Sequence, residues 1–391
     1  MNKKLKIAIL GSTGSIGKTS LNIVSNYPNL FSVELLTCYQ NKNLLIKQIK
    51  KFLPKCVIIS DLKTYYFVKK IKFKNKIYFF QNLKDFEKFN KKKFDKTILG
   101  ISSIDGLPFA FSFLKYSNEM LIANKETIVC GGKLFLHKAR KQKCIINSID
   151  SEHYCLNETL KGRNINEIST VYLTASGGPF LNKRKKNFKK INHRVAINHP
   201  KWKMGKKISI DSATMVNKIF EIIEASILFN INANKIKIKI HRESLVHSVV
   251  VFKNSLVELI AHNTSMSIPI RNSLLNSKNN DNYNKKSNIF FNNKKKITFS
   301  FDEKSLTEFK IIKTGYKVIK FGHAACIIFN VINDFLVDLY LKDKIFFYQI
   351  EKKLNKTFNN KLLEKYFKKK INSIKDIYDT IEFAKSLLSS I

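Results

Sequence analysis

The chain opens on a short apolar run, Lys6–Leu10, that stops at Gly11, and runs of this kind alternate with polar, helix-period stretches over the first 150 residues. A brief β-branched run closed by glycine is the pattern of a buried parallel strand. Gly11-Ser-Thr-Gly14-Ser-Ile-Gly17 follows it and leads into a helical stretch, Lys18–Asn26. Val33–Thr37, Cys56–Ser60, Lys96–Ile101 and Glu119–Ala123 predict further strands, with helices at Leu44–Phe52 and Pro108–Leu114. Such alternation predicts an α/β, doubly wound (Rossmann-like) domain, placed here at 1–149.

The pattern changes after Asp150. Val171–Thr174 is strand-like and runs into Ala175-Ser-Gly-Gly-Pro-Phe180. Residues 181–198 are polar and basic with little periodicity, and His199-Pro-Lys-Trp-Lys-Met-Gly205 contains the single tryptophan, Trp202. A long irregular segment of this kind predicts a lid over 176–206, with a surface loop anchored by Trp202 as the plainer alternative. Ser209–Lys218 leads into a predicted helix, Lys218–Phe229. At about 100° per residue, Asn217, Lys218, Glu221 and Glu224 fall on one polar arc, opposite Ile219, Ile223 and Ile227. His241 and His247 flank a strand-like run, Glu243–Phe252, and read as ordinary sheet histidines. These elements predict a central α+β domain over 150–275. The Asn/Lys-rich stretch Asn276–Lys296 predicts a linker at 276–299 or a drifted loop. Gly322–Leu341 predicts an apolar helix, and Ser373-x-x-Asp376 caps a last helix, within a C-terminal helical bundle over 300–391.

Composition narrows the class. A length of 391 residues with 44% hydrophobic content suits two or three globular domains. The start, MNKKLKIAIL, mimics a signal peptide, but its apolar part ends at Leu10, too short for one. With no run of about 18 apolar residues to span a membrane, the expectation is a cytoplasmic chain with no membrane partner. The six cysteines are scattered without metal spacing and read as reduced core thiols. The 71 Lys plus Arg against 29 Asp plus Glu give a net charge of +42, which raises nucleic-acid binding. However, the lysines are spread evenly and accompany Asn, Ile and Phe, residues with A/T-rich codons, so compositional drift is the simpler account and no nucleic-acid partner is expected. The positive field would still draw in an anionic substrate.

Three stretches carry candidate chemistry. Strand, glycine-rich turn and helix start form a cradle for a dinucleotide pyrophosphate, because free N–H groups and the helix dipole face the anion. The second strand ends in Cys38-Tyr39-Gln40-Asn41-Lys42, with no acid for a ribose 2′-hydroxyl and a lysine close by, which favours NADPH. Asn124-Lys125-Glu126 sits just past a strand end, where such sheets bind ligands. Asp150-Ser151-Glu152 places two carboxylates on one side if extended, a ligand set suited to Mg²⁺ or Mn²⁺, although a solvated acidic turn has the same sequence.

GSTGSIG (11–17), ANKE (123–126), DSEH (150–153), SGGPF (176–180), HPKWKMG (199–205) and SIDSATMVNK (209–218), followed by Glu221, occur in this order over nearly the whole chain. Together they closely resemble the 1-deoxy-D-xylulose 5-phosphate reductoisomerase family. The resemblance implies that Asp150, Glu152 and Glu221 hold one Mg²⁺ or Mn²⁺ per subunit. It implies that Lys125, Ser151 and Glu152 contact the substrate near its reacting carbons. Ser176, Ser212, Asn217 and Lys218 would bind its phosphate, with His199 and Trp202 on the lid. Thr13, Gly14, Ser15, Ile16, Asn124, Glu126 and Gly205 would meet NADPH, with Tyr39, Gln40 and Asn41 near its adenosine end. It also implies a homodimer whose central domain is catalytic, metal-binding and dimer-forming. Two departures stand out. Tyr39 and Gln40 replace the family's usual small and basic residues, and Ile219 and Phe220 stand where Gly and Leu are common. A homoserine-type dehydrogenase would account for the first 100 residues alone, and a decayed member of the family would keep the fold without the rate.

Overall fold

The computed structural model describes residues 3–180, 191–199, 201–202, 204–275, 297–303 and 309–390. The lid residues 181–190, Pro200 and Lys203, and the linker stretch Asn276–Lys296, lie outside the described residues. The chain divides into two compact units.

Unit 1 holds an alternation of strands and helices in which Leu62–Lys69, Tyr78–Phe80, Leu83–Phe89, Lys125–Lys141 and Ile145–Ser148 add to the elements predicted, and Ile128–Leu134 of one helix belong to unit 2. In order the elements are β1 (Leu5–Leu10), α1 (Ser15–Asn26), β2 (Phe31–Cys38), α2 (Lys42–Phe52), β3 (Cys56–Ile59), α3 (Leu62–Lys69), β4 (Tyr78–Phe80), α4 (Leu83–Phe89), β5 (Phe94–Leu99), α5 (Gly106–Phe113), β6 (Ser117–Ile122), α6 (Lys125–Lys141) and β7 (Ile145–Ser148). The seven strands form one parallel sheet in the order β4-β3-β2-β1-β5-β6-β7. The order reverses between β1 and β5, the point at which doubly wound sheets bind ligands. Ile7, Ala8, Ile9 and Leu10 are fully buried, as a strand covered on both faces requires. Lys96 on β5 is a buried exception. It pairs with Glu119 on β6 at 2.7 Å and donates to the Ser273 carbonyl at 2.6 Å.

Unit 2 contains most of the chain beyond Asp150. Its elements are α7 (Ser151–Leu160), β8 (Ile168–Ala175), α8 (His193–Ala196), α9 (Lys206–Thr214), α10 (Val216–Leu228), β9 (Ile236–Ile240), β10 (Val246–Phe252) and β11 (Val257–Ala261). The sheet order is β11-β10-β8-β9, with β8 parallel to β9 and the other pairs antiparallel. Helix α7 packs on β10 and β11, and α10 on β8 and β9. The next helix, α11 (Ser267–Leu275), belongs to unit 1, where Ile270, Leu274 and Leu275 join the core around Ile7 and Ile9.

The C-terminal part is helical: α12 (Ile311–Phe321), α13 (His323–Leu341), α14 (Phe347–Phe358), α15 (Glu364–Phe367) and α16 (Ile374–Ser386). Ser373 caps α16 reciprocally with Asp376, as its sequence predicts. By length and composition α13 could cross a membrane, although scattered polar residues keep it from reading as an unbroken apolar run. It packs against α12, α14 and α16, and 72% of its apolar window is buried, so its hydrophobicity is that of a core helix.

Candidate active site

In unit 1 the turn after β1 is drawn tight by three bonds to its surroundings. The Gly11 N–H donates to Thr37 Oγ1 at 2.7 Å, the Ser12 N–H donates to the Thr37 carbonyl at 2.9 Å, and Ser12 Oγ donates to Gln48 Oε1 at 2.8 Å. Gly17 is obligatory here: a β-carbon would stand 2.4 Å from the Gly11 carbonyl oxygen and 2.5 Å from Ser12 Cα. Helix α1 starts at Ser15, three residues earlier than its apolar periodicity suggests, and its N-cap, Gly14, offers no side-chain bond. Thr13, Gly14, Ser15 and Ile16 therefore surround a helix N-terminus that has no side-chain cap, a good seat for a phosphate.

Beyond β2, Tyr39 is 64% exposed, and the Asn41 side chain accepts from the Leu44 N–H at 3.2 Å to cap α2. An acid that the sequence reading did not place here comes near from the end of β3: the Asp61 N–H donates to the Tyr39 carbonyl. Its carboxylate is committed to α3, accepting from the Thr64 N–H at 2.8 Å. At the head of α6, Asn124 accepts from the Thr127 N–H at 2.8 Å and donates to the carbonyls of Ile101 and Ser103. That network ties the ends of β5 and β6 together and buries Asn124, Lys125 and Glu126. Lys125 Nζ lies 3.2 Å from Asp150 Oδ1 and 3.3 Å from Oδ2.

The extended reading of Asp150-Ser-Glu is corrected. Ser151 opens α7, so Asp150 ends unit 1 while Glu152 lies in the first helical turn of unit 2. In unit 2, Glu152 and Glu221 close on one cation. Lys218 Nζ is 2.7 Å from Glu152 Oε1 and also pairs with Glu221 Oε2. Ser151 Oγ donates to Glu152 Oε2 at 2.6 Å, and Asn217 Nδ2 donates to Glu221 Oε1 at 2.5 Å. Burial works to strip the Lys218 proton, but the two carboxylates more than offset it, so the Lys218 pKa lies above the ordinary value. The polar arc on α10 is thus a buried site face and not a solvated one. Two carboxylates gathered around one cation are the hard oxygen donors that Mg²⁺ or Mn²⁺ selects.

Sequence reasoning missed α9, whose Asp211 accepts from Asn333 Nδ2 at 2.8 Å and pairs with Lys207 at 3.1 Å. Ser212 sits in its last turn. Met215 then adopts φ +66°, a left-handed joint that ends α9 and lets α10 start at Val216, bringing Asn217 and Lys218 into the first turn of α10. The turn Gly177–Gly178, with φ +83° and +65°, lies against Ser212 and Ala213 and so sets Ser176 beside α9. Ser176 Oγ accepts from the Gly178 N–H at 3.2 Å and from His199 Nε2 at 2.8 Å. His199 Nδ1 accepts from the N–H groups of Lys201 and Trp202 at 3.1 and 3.0 Å, which puts the ring proton on Nε2. Burial lowers the His199 pKa to about 4, so the ring is neutral. Gly205 caps α9.

Three histidines border this face. His153 is fully buried and donates from Nε2 to the Glu221 carbonyl at 3.0 Å, while its Nδ1 lies 3.5 Å from Glu224 Oε2. Its place in DSEH was the available signal. His247 is more than a sheet histidine: its ring lies 4.0 Å from that of His262 and 5.7 Å from Trp202. Burial, then His262, lowers its pKa to about 4.

A doubly wound sheet with a glycine cradle at its switch point defines a dinucleotide-dependent oxidoreductase. The second unit adds what a plain dehydrogenase lacks, acids closed around a cation next to hydroxyl and amide donors. Family profiles described as 1-deoxy-D-xylulose 5-phosphate reductoisomerase match residues 7–132, its C-terminal domain 146–229, and a DXP reductoisomerase C-terminal domain 262–387. The enzyme of that name from Pelagibacter ubique is 38% identical over 394 residues, covering 98% of this chain and 99% of the relative. That of Chlamydia muridarum is 34% identical over 389 residues, covering 98% and 99%. A solved DOX-P reductoisomerase in complex with NADPH, fosmidomycin and magnesium superposes with a TM-score of 0.88 at 27% identity, covering 99% of this chain and 98% of that one. The Zymomonas mobilis enzyme in complex with NADPH gives 0.85 at 25%, covering 99% of both chains. The chain belongs to the 1-deoxy-D-xylulose 5-phosphate reductoisomerase family.

Proposed function

We propose that this chain rearranges and reduces 1-deoxy-D-xylulose 5-phosphate to 2-C-methyl-D-erythritol 4-phosphate, with NADPH and a divalent metal, in non-mevalonate isoprenoid precursor synthesis. The observation that carries the reading is the closure of Glu152 and Glu221 around a single buried cation in a family member matched over 98% of its chain. Asp150, Glu152 and Glu221 hold one Mg²⁺ or Mn²⁺ per subunit. When bound, the metal supplies Lewis-acid stabilisation to the substrate oxygens and NADPH supplies the hydride.

The chain's own groups bind and orient. Lys125, Ser151 and Glu152 contact the substrate near its reacting carbons. Ser176, Ser212, Asn217 and Lys218 take its phosphate, for which hydroxyl and amide donors with one lysine are well suited. Neutral His199 keeps Ser176 oriented through its Nε2–H, and Trp202 excludes water as the segment closes. Thr13, Gly14, Ser15, Ile16, Asn124, Glu126 and Gly205 meet NADPH, with Tyr39, Gln40 and Asn41 near the adenosine end.

Two copies pair as a homodimer. The support is β11, an edge strand on which Leu256, Val257 and Leu259 at its start and along it are 52%, 57% and 37% exposed. We place the enzyme in the cytoplasm, a compartment that suits six cysteines all free and buried. The test is NADPH oxidation, followed at 340 nm, with 1-deoxy-D-xylulose 5-phosphate in Mg²⁺, in Mn²⁺ and after EDTA. Metal-dependent oxidation is expected; oxidation that survives EDTA, or none by folded protein, contradicts the reading.

A further inference from the structure

All four carboxylate oxygens of Glu152 and Glu221 are engaged by groups that the proposed function gives to the substrate. Ser151 holds Glu152 Oε2, Lys218 holds Glu152 Oε1 and Glu221 Oε2, and Asn217 holds Glu221 Oε1. Within unit 1 the third acid, Asp150, is likewise paired with the proposed substrate lysine, Lys125. One set of donors therefore serves two sets of acceptors.

We infer that Ser151, Asn217 and Lys218 act as an internal substitute for the metal, and that the metal and an anionic substrate group bind unit 2 cooperatively by exchanging Lys218. This rests on the metal-site reading above. A divalent ion on Glu152 and Glu221 repels an ammonium held by the same two carboxylates, so the ion must displace Lys218. Lys218 is only 4% exposed and does not escape to bulk water without leaving a buried charge unpaired. A tetrahedral dianion in the pocket gives the displaced ammonium a new partner, which removes the cost of releasing it. Linkage makes the effect reciprocal: the anion tightens the metal, and the metal tightens the anion. Asn217 adds to the coupling, because its amide must leave Glu221 to reach the anion.

The experiment measures Mn²⁺ binding to the full chain by the electron paramagnetic resonance of free Mn²⁺, without NADPH or sugar phosphate. Wild type, Glu221→Gln and Lys218→Met are each titrated with and without inorganic sulfate, at ionic strength matched with chloride. Sulfate should tighten Mn²⁺ on the wild type, within the roughly 5- to 150-fold span typical of coupled sites. Lys218→Met should bind Mn²⁺ more tightly than wild type and ignore sulfate, and Glu221→Gln should bind it weakly. Unchanged wild-type affinity in sulfate, with Glu221→Gln still weak, overturns the exchange and leaves the metal site standing. Equal binding by Glu221→Gln and wild type overturns the metal site and the exchange together. The wild-type arm decides the question even where Lys218→Met fails to fold.

Discussion

Ile219 on α10 packs directly onto Gly315 on α12. A β-carbon at Gly315 would come within 2.6, 2.7 and 2.8 Å of Ile219 Cγ1, Cδ1 and Cγ2. The family resemblance places glycine where this chain has Ile219, and here the small residue stands on the neighbouring helix instead. Phe220, the next departure, faces Phe329 on α13 with ring centroids 5.8 Å apart. The bulk on α10 is thus absorbed by the C-terminal helices, and Lys218 and Glu221 keep their spacing.

Gly315→Ala should therefore destabilise the protein, although alanine is the better helix former by about 1 kcal/mol. Overpacking costs about 1–3 kcal/mol, and a β-branched side chain struck on three atoms has few rotamers into which to retreat. Thermal unfolding should show a lower Tm for Gly315→Ala, and the added change Ile219→Ala should recover most of it. A Tm at or above wild type for the single variant would show that the contact yields freely.

His153 supports Glu221 from beneath by donating to its carbonyl. His153→Leu removes this bond and the ring 3.5 Å from Glu224, at a cost of about 0.5–1.5 kcal/mol, because the Glu221 carbonyl still accepts within α10. Mn²⁺ affinity should fall with stability, whereas NADPH affinity, which we propose rests mainly on unit 1, should hold. Unaltered Mn²⁺ binding in a destabilised variant would reduce His153 to a packing role.

Acid should loosen the Trp202 segment. His199 and His247 both have folded pKa values of about 4 against an ordinary 6.5, so between those values the unfolded chain binds more protons than the folded one. Stability is then full above about pH 6.5 and falls as pH drops toward 4. Protonated His199 would also turn an N–H against the N–H groups of Lys201 and Trp202. Fluorescence of Trp202, the single tryptophan, should change with a midpoint near pH 4. A midpoint near 6.5 would mean that these rings are solvated.

The parallel sheet was legible because strands buried on both faces read as unbroken apolar runs, and the cradle because a glycine-rich turn between strand and helix has few other uses. Helix α9 was hidden: Ser209, Asp211, Ser212 and Thr214 mimic a loop, and the helix is held by Asp211 contacts to Asn333, a partner 122 residues away. The extended backbone that would put both carboxylates of Asp150-Ser-Glu on one side is not adopted for a similar reason. Local spacing does not reveal that Ser151 begins a helix packed on β10 and β11. On α10 the spacing gave the correct arc but not its burial, which depends on Lys218 finding Glu152 from another helix.

We propose a division of labour in which NADPH rests mainly on the cradle of unit 1 and Asp150, Glu152 and Glu221 hold the metal. Asp150→Asn and Glu221→Gln test it most directly, with turnover of 1-deoxy-D-xylulose 5-phosphate and the NADPH dissociation constant measured on the same preparations. Turnover should fall by about 10²-fold or more, the scale of losing a principal electrostatic group, while the NADPH constant stays within about twofold. Loss of NADPH affinity as large as the loss of turnover would contradict that division.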